Sequence, residues 1–182
     1  MIPLNPDWRS KIQYLDTLLG TLVEWAASRP EADFMTLWDE TIDPEWLPYL
    51  AQAGGATKQE MALAACAVAR LCLHLIPEGE ERPRIAIETA EAWTRGEATA
   101  EQVGKAITAA YAAAADAAYA AADADADAAA HAVSSSSSVA YAIQAGIESQ
   151  LICATIRKHL VFERPPRPKG LTIWQRLAKE DG

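Results

Sequence analysis

Apolar residues recur at three- and four-residue spacing through most of the chain, a period that predicts helices. The first run is Trp8, Ile12, Leu15, Leu19, Leu22 and Ala26. It is opened by Asn5-Pro6, a capping residue followed by a proline suited to a first helical turn, and is ended by Pro30. A short helix is expected over residues 32–39, with Phe34, Leu37 and Trp38 apolar. Asp43-Pro44 repeats the cap-plus-proline signal for a helix through Ala53, with Pro48 expected to distort its first turn and Gly54-Gly55 expected to stop it. Thr57-Lys58-Gln59-Glu60 has the spacing of a capping box. Behind it Met61, Ala64, Ala65, Val68, Leu71, Cys72 and Leu75 form the cleanest stripe in the chain, ending before Pro77. Pro83 opens a further helix with Ala86, Ala90 and Trp93 on one face, and Arg95-Gly96 closes it.

Residues 99–133 predict a helix longer than most in globular domains, dominated by alanine, which has the best helix propensity because it loses no side-chain entropy. Thr99 and Gln102 are spaced as a second capping box. At about 100° per residue, Lys105, Asp116, Tyr119, Asp123 and Asp127 gather on one side, and most other positions are methyl groups. Such a helix suits a central position, with neighbours packed at short distance. The serines at 134–138 predict a break or kink, because their hydroxyls compete for backbone groups. A last core helix is expected from Val139 through Ile143, Ile147, Leu151 and Ala154 to His159 or Leu160. No stretch alternates as a strand would, and no hairpin dipeptide joins β-rich runs. The pattern therefore predicts an all-α fold, a single-domain helical bundle of about six to eight helices around the long Ala-rich helix, over residues 1–162. Residues 163–182 are expected to form a basic Pro-rich connector and a short C-terminal helix.

Composition narrows this picture. The chain has 182 residues, enough to bury a sizeable core, and no apolar run of the ~18 residues that a membrane span needs. The start, MIPLNPDWRSK, lacks the basic-then-apolar pattern of a signal peptide, and the three cysteines sit within apolar helical patterns, so a cytoplasmic setting with reduced, buried thiols is expected. Charge is unevenly spread: residues 31–148 carry 19 acidic and six basic side chains, net −13, and residues 149–182 carry three acidic and seven basic, net +4. An acidic body repels phosphates, which argues against direct nucleic-acid binding and permits a basic protein partner or imitation of a nucleic acid's charge.

Candidate chemistry is sparse. His74 and His159 lie at the ends of helical patterns, where a cation suits the helix dipole. His131 follows Asp127 by four residues and can meet it on one helix face, but no nucleophile is spaced to use such a base. Cys66 and Cys72 are six apart, and neither a CxxC nor an HExxH motif occurs, so no metal and no cofactor is expected. No glycine-rich phosphate loop and no GxSxG is present. Glu78, Glu80 and Glu81 beside Arg82 and Arg84 read as a local salt-bridge network at a helix start.

The segment CLHLIPEGEERPRIAIETAEAWTRGEATAEQV, Cys72 to Val103, followed by the Ala/Asp/Tyr helix and His131-Ala132-Val133, resembles a family of bacterial immunity proteins tied by gene context to polymorphic toxin systems. The residues that carry the likeness are Pro83, Arg84, Ile87, Glu88, Ala92, Trp93, Gly96 and Glu97, and it extends over about residues 61–160. The serine run and the proline-rich tail depart from the family pattern. The resemblance implies an all-helical fold that inhibits by binding, with no catalytic residues to carry over. The expected function is thus a non-enzymatic inhibitor that binds a toxin or effector. Its acidic surface would include Asp116, Asp123, Asp127, Glu88 and Glu91. One alternative is a phage anti-defence protein acting by the same occlusion or by sequestering a nucleotide signal, for which Arg82, Arg84 and Arg95 are the candidate anion-binding residues. Self-association of the alanine-rich helix would build the pocket that sequestering needs, and a plain structural or assembly module is a further alternative.

Overall fold

Capping chemistry sets where the helices begin. In a computed structural model, which describes residues 1–13, 20–121 and 138–164, the Thr57 Oγ1 accepts from the Glu60 amide (3.3 Å) while the Glu60 carboxylate accepts from the Thr57 amide (2.8 Å). The same exchange joins Thr99 and Gln102 (3.2 and 2.7 Å). The described residues form nine α-helices: α1 (Trp8–Gln13), α2 (Gly20–Ala27), α3 (Phe34–Glu40), α4 (Leu47–Gly54), α5 (Lys58–Arg70), α6 (Arg82–Thr94), α7 (Ala100–Ala121), α8 (Ser138–Gln144) and α9 (Ser149–His159). A 3₁₀ turn, Leu73–Leu75, follows α5. The fold is all-α; among the described residues the one β-type contact is an isolated parallel bridge between Ile2 and Phe162. No described helix is long and apolar enough to cross a membrane.

Three local expectations change. Pro48 does not distort α4: it lies in the first turn, where an amide has no helical acceptor, and the helix starts there. Asp43 instead accepts from the Glu45 amide (2.9 Å) and tightens the turn before the helix. The last core helix is two helices, because Gly146 takes a left-handed conformation (φ 79°) and ends α8 before α9 begins. Leu15, Leu19, the far part of the alanine tract and residues 165–182 lie outside the described residues, as do serines 134–137.

Among the described residues the long alanine helix is not the hub. That place belongs to α5, which packs against α6, α8, α9 and α4, whereas α7 lies chiefly along α6. The reason is on α5 itself. Ala64 and Val68 point into the main core, as does Cys72 just beyond the helix, and Cys66 and Ala69 belong to a second small cluster with Ile87. A helix buried on two faces must sit between layers.

The main core is closed where the N-terminal residues meet residues 161–163. Ile2 donates its amide to the Val161 carbonyl (2.8 Å), and Glu163 donates to the Ile2 carbonyl (2.8 Å), which holds Phe162 inward. Phe162 meets Phe34 and Trp38 edge-on, with ring centroids 4.9 and 5.1 Å apart, and Trp8 meets Phe34 at 5.5 Å. Gly54 makes this possible: a Cβ there would stand 2.5 Å from the Phe34 ring and 2.8 Å from Phe162. Two arginines donate to backbone carbonyls at or just beyond helix ends. Arg157 donates to the Trp38 carbonyl (3.0 and 2.7 Å) and to the Thr41 carbonyl, and Arg9 donates to the carbonyls of Ala26 (3.4 Å), Arg29 (3.1 Å) and Ala32.

Candidate functional site

The acidic candidates divide according to their partners. Glu88 is exposed on the outer side of α6. Glu91, one turn on, is half-buried and held in a two-point ion pair by Arg70 of α5, with Nε to Oε1 and Nη2 to Oε2 both at 2.8 Å. The hydrogen bonds from Arg70 hold the Glu91 carboxyl below the usual carboxylate range, against the opposing effect of its partial burial, and the charges of Arg70, Arg95 and His159 add to the shift. Glu91 therefore ties α6 to α5 and offers a partner less free charge than Glu88. Asp116 lies on α7, and Asp123 and Asp127 lie outside the described residues, as does His131. On α7 the outward positions nearest the start are Glu101 and Lys105, which pair with each other (2.8 Å). Ala110 and Ala113 are buried.

The three anion-binding candidates each meet a carboxylate. Arg82 bonds Glu80 (Nε to Oε1 2.8 Å), Arg84 pairs with Glu81, and Arg95 bonds Glu97 (2.8 Å). The local network expected at this helix start is thus present, and Arg82 holds the Glu80 carboxyl below its ordinary range. Arg82 opens α6 and Arg95 caps its far end, 13 residues on, so the two stand roughly 20 Å apart along the axis. One chain does not gather them into a single pocket.

The histidines and thiols take structural positions. The Nδ1 of His74 faces the Leu71 carbonyl (2.8 Å), and the Nδ1 of His159 faces the Thr155 carbonyl (2.9 Å), each near the end of its own helical segment. Cys66, Cys72 and Cys153 are free and buried, and burial pushes the Cys66 and Cys72 thiols up to about 11. A thiol so placed holds little thiolate at neutral pH and is a poor nucleophile.

One feature had no signal in the apolar pattern. A cavity of about 540 Å³ runs along α5 between α6, α7 and α9, with Met61, Ala65 and Ala69 on its floor and Trp93 and Ile107 among its walls. Lys58 and Gln52 are its polar side chains, at the end nearest α4. It exists because the α5 positions facing it are small, and a run of alanines does not reveal in sequence whether methyl groups meet a neighbour or leave space.

This helical layer is also where the chain matches a known family. The model for the Imm-5 like putative immunity protein matches residues 52–147, more than half of the chain. The chain belongs to the Imm-5 like putative immunity protein family. No curated protein and no solved structure matches it. The matched residues include α5, α6, α7 and α8, so the family's region holds the α5 hub, Glu88, the Arg70–Glu91 tie and most of the apolar cavity. The aromatic cluster of Trp8, Phe34, Trp38 and Phe162 lies outside it.

Proposed function

We propose that this member of the Imm-5 like family is a non-enzymatic inhibitor that binds a toxin or effector protein and neutralises it by occlusion. The observation that carries the reading is the family match over the α5–α8 layer. Charge adds the electrostatic part: residues 31–148 carry a net −13, and Glu88 presents its carboxylate outward on α6. A partner with a basic active site would be steered toward such a surface, and interfacial charges act chiefly on association rate. Asp116, Asp123 and Asp127 would extend the acidic surface, with Glu91 contributing mainly to the shape of its base.

The test is affinity purification from the native host, with co-purifying proteins and heat-released small molecules identified by mass spectrometry. The expected result is one basic protein whose toxicity, on expression alone, is relieved by co-expression with this chain. Reversing Glu88 and Asp116 to lysine should then slow association about tenfold at low salt and flatten its salt dependence. An unchanged rate would remove the electrostatic part and leave binding. A released nucleotide with no protein would instead favour the sequestering alternative, which would need Arg82, Arg84 and Arg95 to exchange carboxylate partners for phosphates across more than one chain.

A further inference from the structure

On the side of the molecule built by α2, the α3–α4 turn and the α8–α9 turn, two tryptophans stand in the surface. Trp25 and Trp46 are half-buried, with ring centroids 5.3 Å apart and planes tilted by 52°. The Arg29 guanidinium lies over the Trp25 ring at 4.6 Å and donates to the Trp25 carbonyl (3.2 Å), so the indole is held in place. Beside them Ile42 is 83% exposed and Ile143 is 37% exposed. These side chains line one open cleft of about 650 Å³.

Trp25 and Trp46 also pack against the main core, so folding accounts for the indoles but not for Ile42 beside them. The Ile42 side chain lies almost wholly in water, although its backbone is fixed, the carbonyl accepting from the Cys153 thiol (3.6 Å). An aliphatic side chain left in water beside two indoles forgoes the stabilisation that burial gives, and apolar surface grouped in this way marks interaction sites. Tryptophan and arginine are also the residues that most often dominate binding energy at interfaces. The charge of the cleft says which partner fits. Its walls carry the carboxylates of Glu40 and Asp43 against one cation, Arg29, which is already stacked on Trp25 and paired with Glu40 at 3.7 Å. An apolar floor with an acidic wall complements an apolar side chain flanked by cations.

We propose that this cleft is the docking surface for a basic segment of a protein partner. An aliphatic or aromatic residue would seat against Ile42 beside the indoles, and arginine or lysine side chains would meet Glu40 and Asp43. The proposal rests on the inhibitor reading for the partner's identity alone. Trp25, Arg29, Glu40, Ile42, Asp43 and Trp46 all lie outside residues 52–147, so the surface is built mostly from residues that the family match does not reach, where recognition particular to this chain would be written.

The experiment needs no toxin, so its failure is distinct from failure of the inhibitor reading. A random 12-residue peptide library displayed on phage is selected against the full chain, and enriched peptides are synthesised and measured by fluorescence anisotropy. The expected winners carry an apolar residue flanked by arginine or lysine. Ile42→Asp should weaken them at least about tenfold, with the circular dichroism spectrum unchanged because the side chain is exposed. Glu40→Gln with Asp43→Asn should weaken them about threefold and flatten their salt dependence. No enrichment, acidic winners, or equal binding to Ile42→Asp would overturn the proposal. So would faster tryptic cleavage after Lys169 caused by Ile42→Asp in the absence of peptide, since the cleft would then already hold the chain's own basic C-terminal residues.

Discussion

At one end of this molecule four aromatic rings interlock; in the α5–α6–α7 layer the contact is made largely by methyl groups. The aromatic end draws Trp8, Phe34, Trp38 and Phe162 from opposite ends of the chain and closes them over Gly54. The alanine layer is built from helices consecutive in sequence, with Ala69, Ala86, Ala110 and Ala113 buried together with Ile87. The first region gains stability from large areas fitted in one arrangement, the second from close helix approach that small side chains permit. They should therefore fail under opposite changes, one by truncation and the other by enlargement.

Truncation at the aromatic end gives the largest expected effect. Phe162 is 3% exposed and touches both Phe34 and Trp38. Phe162→Ala should cost about 3–5 kcal/mol, the usual range for a buried phenylalanine, read as a lower urea midpoint. It should also release the N-terminal segment, since Ile2 exchanges both of its hydrogen bonds with the neighbours of Phe162. A cost under about 1 kcal/mol would mean that the ring cluster collapses around the gap and is no jigsaw. Enlargement in the alanine layer comes next. Ala110 is fully buried on α7, and Ala110→Leu should cost about 1–3 kcal/mol by forcing α7 from its neighbours, whereas the same change at the exposed Ala112 should be nearly neutral. Equal, small costs at both positions would show that the seam has room, and the comparison between the two regions would lose its basis.

The same contrast explains what could be read from the chain itself. Helix starts were legible at the two capping boxes: Thr57 with Glu60 and Thr99 with Gln102 are contacts within four residues. The stripe Ala64, Val68, Cys72 was legible because burial follows helical period. The second buried face of α5, Cys66 and Ala69, was not, since alanine is neutral in such a pattern and the hub position follows only from the packing of several helices. Arg157 and Arg9 cap carbonyls more than 100 and about 20 residues away, and no local spacing encodes that. Ile42 was passed over for a related reason. It falls on no stripe, between the buried Thr41 and Asp43, and only the folded chain brings it beside Trp25 and Ile143. Among the acidic candidates Glu88 and Glu91 were named alike, and nothing along α6 distinguishes them, because Arg70 belongs to another helix.

That distinction supplies the smallest effect and the sharpest comparison. Glu88→Gln removes an exposed charge and should leave stability within about 0.5 kcal/mol. Glu91→Gln replaces an acceptor of both Arg70 donors and should cost about 1 kcal/mol near neutral pH, kept modest because Arg70 is partly exposed. The pH dependence identifies the cause. Glu91 has a lowered pKa in the folded chain, so its contribution is fully present above the ordinary glutamate value, about 4.3, and is lost as pH falls through the folded value. Urea midpoints of wild type and Glu91→Gln should accordingly differ near neutral pH and converge in acid. In binding the order should invert: Glu88→Gln should slow association with a basic partner more than Glu91→Gln does, because the Glu91 charge is already answered within the fold. If Glu91→Gln were neutral at every pH, the tie between α5 and α6 would rest on Cys66, Ala69 and Ile87 alone, and Arg70 and Glu91 would both count as surface charges available to a partner.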